Sequence, residues 1–398
     1  MKQALRTISL ALVLAMGLEA VAQSVPHTTS ATKIYPIDAL PYLHDLGPMS
    51  DGYALVGDSK SKLYAVFSST GDVVIPFSIP LVRSGRRIPK FYNGVIPAQL
   101  TQNNKSFCAV LNTKGEMVKQ LKDVTALGND FVDGYVTAFK AIPLSSTRRK
   151  VVLRYYDTTG KEVFPNLWQD VTGTVGLLQD MRPFRDGLSC YYDYKTRRYG
   201  YFDKTGKIVV AAKYAKAHDF SEGLAWVSED GTQWYFIDTE GKPCSQVFSV
   251  AEPVDFHEGV AIVYKRGTSL NEPCYIDAAC NVVCGPLYAA SRFFGGYAWV
   301  TVLNNDMHNY VIDRTFKAVK ELSRLAPHKA DKDIYDEAAG NIQVGEKVYA
   351  PDGTCLFDEN RWIIKSFSDG LAPFKNENTV GYLNKQGEVV FMIKLSDF

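Results

Sequence analysis

The feature that most constrains the fold of this chain is an eight-residue phrase that recurs along it. Residues 220–227 read Phe-Ser-Glu-Gly-Leu-Ala-Trp-Val, and residues 256–263 read Phe-His-Glu-Gly-Val-Ala-Ile-Val. The Gly of this phrase recurs at Gly52, Gly94, Gly134, Gly187, Gly223, Gly259, Gly296 and Gly370. Successive intervals are 36 to 53 residues, except the last, which at 74 residues equals two units of 37. Such a period indicates supersecondary units that must stack on their neighbours to bury their apolar faces.

A second phrase follows the first in most units and predicts a β-hairpin. Residues 199–207 read Tyr-Gly-Tyr-Phe-Asp-Lys-Thr-Gly-Lys, and residues 235–242 read Tyr-Phe-Ile-Asp-Thr-Glu-Gly-Lys. An aromatic and β-branched run that is closed by Asp and Gly, and then followed by an apolar run such as residues 208–210, is a hairpin signal. Each unit is therefore expected to supply about three short strands.

The polar residues of this second phrase are interpreted as turn formers. Gly206 and Gly241 supply the positive φ of a tight turn, while the side chains of Asp203 and Asp238 accept nearby backbone N–H groups. Asn112 occupies the same place in another unit, so a negative charge is not required there. We also assign a structural role to the glycines of the first phrase, namely Gly187, Gly223, Gly259, Gly296 and Gly370.

These patterns predict an all-β chain built as a tandem repeat array of β-hairpin or three-stranded units. An open twisted solenoid is the first expectation, and a closed propeller-like ring is the alternative. Residues 46–398 form one array of about nine units, in which the unit near residues 317–355 is degenerate and leaves room for a short helix. Residues 23–45 are expected to be a leader and a first edge strand.

The repeated phrases resemble those of the WG repeat proteins. Units of that family read approximately Phe-x-Glu-Gly-Leu-Ala-x-Val, then Trp-Gly-Tyr-Ile-Asp, then x-x-Gly-Lys before an apolar strand. The resemblance is strongest over residues 184–263. The Trp-Gly pair itself is never intact, because Tyr199-Gly200 replaces the Trp and Trp234-Tyr235 loses the Gly. The resemblance implies a β-rich repeat array with a binding role, and it brings no catalytic residues.

The N-terminal residues have the pattern of a signal peptide. Lys2 and Arg6 precede an apolar run at residues 8–18, and small residues at 20–22 predict cleavage after Ala22. The apolar run is too short to stay as a transmembrane helix. We therefore expect residues 1–22 to be removed and the mature chain to be exported, to the periplasm, the cell surface or the medium.

The charge of the chain argues against a nucleic-acid partner. The sequence contains 44 basic and 43 acidic residues, and the predicted cleavage removes Lys2, Arg6 and Glu19, which leaves equal numbers of both signs. Binding to a polyanion draws its affinity from a basic face. The mature chain has no such excess of positive charge.

The cysteines and histidines give no metal, cofactor or catalytic site. The seven cysteines are scattered, although Cys274 and Cys284 flank one predicted hairpin and could be cross-strand neighbours. A disulfide between them and a pair of buried apolar thiols both remain open at this point. No His lies close enough in sequence to complete a zinc site, and no nucleophile elbow or phosphate-binding loop is present.

Two tryptophans are the candidate binding residues. Trp226 and Trp299 occupy the same column of the first phrase, three places after the Gly, where residue types vary freely. Alternate residues of a strand share a face, and the flanking columns are small or apolar, so this column is expected to be exposed or to face a ligand. An aromatic surface for sugar rings or a protein partner is one interpretation. The other is that both side chains fill gaps between units.

Two classes of function follow from these observations. The first is an exported, non-enzymatic repeat protein that presents a β-surface to a glycan, a peptide or a protein of the cell envelope. The alternative is an exported glycan-active hydrolase with a propeller-like fold, whose catalytic carboxylates come from different units.

Overall fold

The computed structural model shows an all-β protein. It describes residues 33–35, 43–58, 61–81, 88–167, 169–172, 179, 181–249, 253–265, 272–303, 307–322, 334–336, 341–344, 347–358, 363–364, 367–375 and 379–394. The predicted signal peptide and most of the predicted leader lie outside these residues. The described strands form small antiparallel sheets that follow one another along the chain. The predicted all-β repeat array is confirmed.

Residues 26–219 and 360–398 form one compact unit. Its first sheet has the order β2 (Leu43–Leu46), β3 (Tyr53–Asp58), β4 (Tyr64–Ser68) and β5 (Val73–Ile79). The second has the order β6 (Val95–Gln102), β7 (Lys105–Asn112) and β8 (Met117–Leu121). The third has the order β12 (Glu162–Val163), β11 (Arg149–Asp157), β10 (Tyr135–Pro143) and β9 (Val124–Leu127), and β13 (Gln169–Asp170) also pairs with β11. A 3-10 turn at Pro165–Leu167 lies between β12 and β13.

The same unit contains two further sheets. One has the order β14 (Leu188–Asp193), β15 (Arg198–Asp203) and β16 (Ile208–Tyr214), and the short strand β17 (Lys216–Ala217) follows it. The C-terminal sheet contains β33 (Ile363–Ile364), β34 (Leu371–Lys375), β35 (Thr379–Asn384) and β36 (Val389–Lys394). The N-terminal strand β1 (Lys33–Tyr35) pairs with the outer edge of β36, and it does so in the parallel sense.

Residues 220–359 belong to the second compact unit. Its strands are β18 (Ala225–Ser228), β19 (Gln233–Ile237), β20 (Phe248–Ser249), β21 (Val254–His257), β22 (Val260–Lys265), β23 (Glu272–Asp277), β24 (Val282–Cys284), β25 (Ala289–Ala290), β26 (Tyr297–Leu303), β27 (Met307–Asp313), β28 (Ala318–Leu322), β29 (Ile334–Asp336), β30 (Asn341–Val344), β31 (Lys347–Tyr349) and β32 (Cys355–Asp358). β21–β24, β25–β28 and β29–β32 each form a four-stranded sheet in chain order.

Most sheets contain at least four strands, one more than the three expected for each repeat. The additional strand precedes the Gly of the first phrase, and in one sheet it is only Ala289–Ala290. A strand of two to four residues is too short to show alternation, so the sequence pattern misses it. In the unit expected to be degenerate, the described residues 334–336 and 341–344 are strands β29 and β30 and contain no helix.

Each first phrase contains a two-residue turn, which is formed by the recurrent Gly and the residue before it. Ser50 and Tyr53 exchange both backbone hydrogen bonds, at 2.9 and 3.0 Å. Asp51 and Gly52 between them have φ of 53° and 75°. Positive φ at both central residues defines a type I′ turn, whose twist matches that of the strands it joins. The recurrent Gly is therefore the second central residue of a tight hairpin.

The apolar core is divided into clusters between neighbouring sheets. Cys108 and Val110 of β7 pack with Val136 and Tyr156 of the next sheet. Such a cluster removes apolar surface from water only when two repeats stack, at roughly 25 cal/mol for each Å² buried. A repeat therefore depends on its neighbours for most of its stability.

The first and last sheets contact each other in the same way as consecutive repeats. The phenol of Tyr275 donates to the carbonyl of Ser291 at 2.6 Å, and that of Tyr201 donates to the carbonyl of His218 at 2.7 Å. Tyr382 of β35 donates in the same manner to the carbonyl of Gly47, which immediately follows β2. The first and last of the described sheets therefore contact each other within their compact unit.

Candidate functional site

The predicted turn residues of the second phrase lie in exposed hairpins and bond only to their own turn. The Oδ1 atom of Asp203 accepts the N–H groups of Thr205 at 2.9 Å and Lys207 at 3.1 Å, and Gly206 has a φ of 83°. Hydrogen bonds from the Thr205 hydroxyl and these backbone groups hold the pKa of Asp203 below its ordinary value. These contacts stabilise the turn, which is the role that the sequence pattern predicts for this residue.

The matching residues of the next hairpin behave alike. The Oδ1 atom of Asp238 accepts the N–H groups of Glu240 at 3.0 Å and Lys242 at 2.9 Å, and Gly241 has a φ of 82°. Asn112 makes the equivalent pair of bonds, to Lys114 and Glu116, with its amide oxygen. An uncharged side chain therefore makes the same contacts as the carboxylates.

The glycines of the first phrase lie beside a functional column that the sequence analysis missed. Gly187, Gly223, Gly259, Gly296 and Gly370 have φ of 84°, 80°, 81°, 85° and 78°. The N–H of Gly259 donates to Glu222 of the preceding repeat at 2.8 Å, and that of Gly296 donates to Glu258 at 2.9 Å. The recurrent acidic residue before the Gly was the signal, since it appears in Phe-x-Glu-Gly.

The same bond occurs in the other compact unit. The N–H of Gly94 donates to Asp51 at 2.9 Å, and that of Gly52 donates to Asp369 at 2.7 Å. The acidic column therefore joins consecutive repeats, and it also joins the last repeat to the first. Its carboxylates are occupied by backbone groups, so we assign them to assembly of the array.

Trp226 and Trp299 do not form a binding surface. Their side chains are only 1% and 7% exposed. Trp226 packs edge-on against Phe236 and Phe248, with ring centroids 5.0 and 5.6 Å away. The expectation of an exposed third column is wrong for both tryptophans, because each repeat covers this face of its strand with another sheet or strand. They are packing residues.

Cys274 and Cys284 are buried and are not joined in a disulfide. In the register of their hairpin, Cys284 lies opposite Tyr275, one residue from Cys274. Burial raises the pKa of Cys284 to about 11. Of the two alternatives, the structure therefore contradicts the disulfide, and Cys274 and Cys284 belong to apolar clusters on opposite sides of their sheet.

Exposed apolar side chains recur at one position of the outermost strands, and this set of equivalent positions, called the column, gives each compact unit its own candidate binding residues. Its members are the first two residues after a second-phrase hairpin: Val73, Val74, Met117, Val118, Ile208, Val209, Val282 and Val319. Only Leu144 and Val247 are further exposed large aliphatic residues in the described part of the chain. Most exposed large aliphatic side chains of the described residues therefore lie at the start of an outermost strand. Some of these strands belong to one compact unit and some to the other.

The geometry of the column leaves both faces of a strand open. Val73 is 41% exposed and Val74 is 42% exposed at the start of β5. Ile208 and Val209 occupy the same places in β16, and both strands share the same pattern of buried and exposed residues. Because successive side chains point to opposite faces of a strand, neither face is covered there. β5 and β16 are also edge strands of their sheets.

Comparison with known proteins supports the repeat assignment. The sequence model of the WG containing repeat matches residues 199–232, which confirms the resemblance over that segment. None of the curated proteins matches the chain.

Two kinds of site were not found among the described residues. No helix there is long and apolar enough to cross a membrane. No group of three or more His, Cys, Asp or Glu side chains there is placed to hold a metal ion.

Several solved structures are similar at low sequence identity. BamB from Moraxella catarrhalis is 10% identical with a TM-score of 0.39, and the match covers 86% of this chain and 94% of that one. A eukaryotic initiation factor is 11% identical with a TM-score of 0.46, and the coverage is 92% and 90%. Hsv2 from Kluyvelomyces marxianus is 10% identical with a TM-score of 0.34, and the coverage is 72% and 100%.

Proposed function

We propose that this chain is an exported, non-enzymatic binding protein that holds an extended segment of a protein partner along its outermost strands. The observation that carries the proposal is the exposed apolar column at the start of these strands. Large aliphatic side chains that recur at one solvent-facing position mark a surface used for interaction. The export pattern at residues 2–22 supports a partner in the cell envelope or outside the cell.

The type of partner is inferred from β36, an outermost strand whose outer edge is paired with the strand β1 of the same chain. β1 lies along the edge of β36 in the parallel sense, with Lys33 opposite Phe391 and Tyr35 opposite Ile393. The residue of β36 that corresponds to Ile208 is Val389, which is 1% exposed, whereas Ile208 is 45% exposed. An extended segment is therefore accepted along the outer edge of this strand, opposite residues 391–393, which directly follow the column position. Strand addition supplies backbone hydrogen bonds, and the adjacent apolar side chains supply affinity.

A peptide fits this surface better than a glycan does. Sugar rings stack on aromatic faces, and the two tryptophans that were candidates for such a platform are buried. The residues that the outer strands expose are Val, Ile and Met. These side chains complement the apolar residues of an extended peptide, which appear on one side of the peptide at every second position.

The proposal is tested first on β16 of the mature chain. The probe is a labelled octapeptide that alternates Val with Thr and Lys, and binding is measured by fluorescence anisotropy. Replacing both Ile208 and Val209 by Lys should weaken binding at least tenfold. Leu144→Lys is the matched control, because Leu144 is an exposed aliphatic residue that lies outside the outermost strands. This control variant should bind as the unmodified chain does.

A second probe separates strand addition from general apolar contact. The same octapeptide with N-methyl groups on alternate residues keeps its side chains but loses the N–H donors needed to pair with an edge strand. We expect it to bind much more weakly. Equal binding of both peptides would overturn strand addition, and binding of glycans but of neither peptide would overturn a peptide partner.

Export and the absence of catalysis need separate measurements. The intact mass of the chain recovered from the producing cells should correspond to a sequence that begins at Gln23. A chain that retains residues 1–22 would contradict export by cleavage. Mass spectrometry of glycans and peptides incubated with the mature chain should show no product, and turnover would favour the hydrolase alternative.

A further inference from the structure

An open cleft of about 500 Å³ lies within residues 220–359 and carries two cysteines. One wall is residues 243–246, the segment that follows the hairpin after β19, and the other is the turn at residues 278–281, between β23 and β24. Cys244 lies on the first wall and Cys280 on the second. The cleft therefore brings together two thiols that are 36 positions apart in the sequence, one repeat period.

The cleft occupies a place that is tightly filled in other repeats. There, the Gly of a second-phrase hairpin presses against the outer strand of the preceding sheet. A Cβ atom on Gly160 would lie 2.7 Å from Lys119, and one on Gly353 would lie 2.9 Å from Lys320. Such distances are shorter than real carbon contacts, so these turns need glycine for space as well as for conformation.

Cys280 stands where those glycines stand. It closes its turn with the same backbone bond, from its N–H to the carbonyl of Asp277 at 3.0 Å, and it has a φ of 68°. Few residues other than Gly, Asn and Asp adopt this conformation. In this repeat the turn carries a side chain, which lines the cleft and packs partly against the cluster of Trp226, Trp234 and Phe236.

The two thiols are the accessible pair in their compact unit. Cys244 is exposed and Cys280 is half-buried, and neither is part of a disulfide in the structure. Cys274 and Cys284 are buried, and Cys355 is exposed elsewhere. The Sγ of Cys244 donates a weak hydrogen bond to the carbonyl of Phe236 at 3.4 Å. Burial raises the pKa of this thiol, and the nearby Asp238 and Cys280 raise it further.

We propose that Cys244 and Cys280 are a redox-active pair that closes as a disulfide between two consecutive repeats. The oxidant is a disulfide of the low-molecular-weight or oxidoreductase class. One cysteine thiolate attacks a sulfur of the donor, which forms a mixed disulfide and releases one donor thiol. The second thiolate attacks the protein sulfur and displaces the second donor thiol. The two cysteines lose two protons and two electrons, and the donor is reduced to two thiols.

The pair fits an exported protein and is independent of the proposed peptide binding. Disulfides persist in oxidising compartments outside the cytosol. A bond between residues 244 and 280 would tie one repeat to the next across an interface that here contains a cleft. The disulfide would therefore connect these two repeats at the place where, in other repeats, a glycine turn packs closely against the preceding sheet.

The test uses the full mature chain incubated with oxidised glutathione. After free thiols are blocked and the chain is digested, mass spectrometry should find one crosslinked pair of peptides that joins Cys244 to Cys280. The intact chain should lose the mass of two hydrogen atoms. Cys355→Ser is the matched control, since it removes an exposed thiol outside the cleft and should leave the crosslink unchanged.

Single variants of the pair provide the second measurement. Cys244→Ser and Cys280→Ser should each stop at a stable glutathione adduct on the remaining cysteine, because no second thiol is available to displace it. Stable adducts on both cysteines of the unmodified chain would overturn the proposal. A crosslink between Cys274 and Cys284 instead would also overturn it.

Discussion

The carboxylate of Glu222 accepts the backbone N–H of Gly259, 37 residues later, at 2.8 Å. Both residues lie in two-residue turns, and both have positive φ, 56° and 81°. The bond therefore connects the tip of one hairpin to the tip of the next. Ser221 adds a second connection, because its hydroxyl donates to the carbonyl of Phe256 at 2.6 Å. Assembly of consecutive repeats thus uses directed hydrogen bonds as well as apolar packing.

Removal of the carboxylate should weaken this connection. We expect Glu222→Ala to lower the free energy of unfolding by about 0.5 to 1.5 kcal/mol, the usual contribution of one hydrogen bond. Glutamate and alanine both carry a Cβ atom, so the energetic cost of the positive φ at residue 222 is similar before and after the substitution. Chemical denaturation of both proteins is the measurement. Glu222→Gln retains an acceptor oxygen and should lose less, and equal losses in the two variants would refute the role of this bond.

The two kinds of recurrent glycine should respond differently to alanine. Gly223 and Gly206 have φ of 80° and 83°, so alanine should cost each about 1 to 2 kcal/mol through its left-handed conformation. A Cβ atom at residue 223 meets nothing within 4 Å, whereas one at residue 206 lies 3.1 Å from Phe164. Gly206→Ala should therefore have the lower thermal midpoint. The opposite order would show that close packing does not matter at this turn.

Replacement of Trp226 should test its role in the core. The side chain packs with Phe236, Phe248 and Phe256. Loss of a buried aromatic side chain leaves a cavity, so Trp226→Ala should cost about 3 to 5 kcal/mol in the free energy of unfolding. Val247→Ala, at a residue that is 58% exposed, is the control and should change stability by less than about 0.5 kcal/mol. A stable Trp226→Ala protein would restore the binding interpretation.

The turn at Asp230 should give a defined dependence on pH. The backbone N–H groups of Gln233 and Thr232 donate to Asp230 and hold its pKa at about 2. This value is lower than the pKa of about 3.9 for an unfolded Asp, so the folded state favours the charged form. The stabilisation is present above about pH 4 and is lost as the pH falls toward 2. The difference in stability between the unmodified chain and Asp230→Asn should therefore shrink over that range. Direct titration by NMR should give a midpoint near 2 for Asp230, and a midpoint near 4 would contradict the bonding.

Much of the array could be predicted because its signals are local. Turns such as the one at Asp203 and Gly206 depend on residues within four positions of each other, so the sequence displays them directly. The recurrence of Gly223 and Gly259 likewise reveals the repeat without any knowledge of packing. Short strands such as Ala289–Ala290 were missed because their formation depends on pairing with a longer neighbour rather than on their own residues.

The sequence by itself determined the period, the all-β character and the chemistry of the turns, since these follow from backbone conformation over a few residues. Only the tertiary structure decided which apolar side chains are covered. It buries Trp226 in a column expected to be exposed, and it exposes Ile208 in a strand that reads as core. It also places Cys244 and Cys280 on the two walls of one cleft and Glu222 beside Gly259. The physical reason is that burial and contact between repeats depend on how sheets stack, and no local pattern records that arrangement.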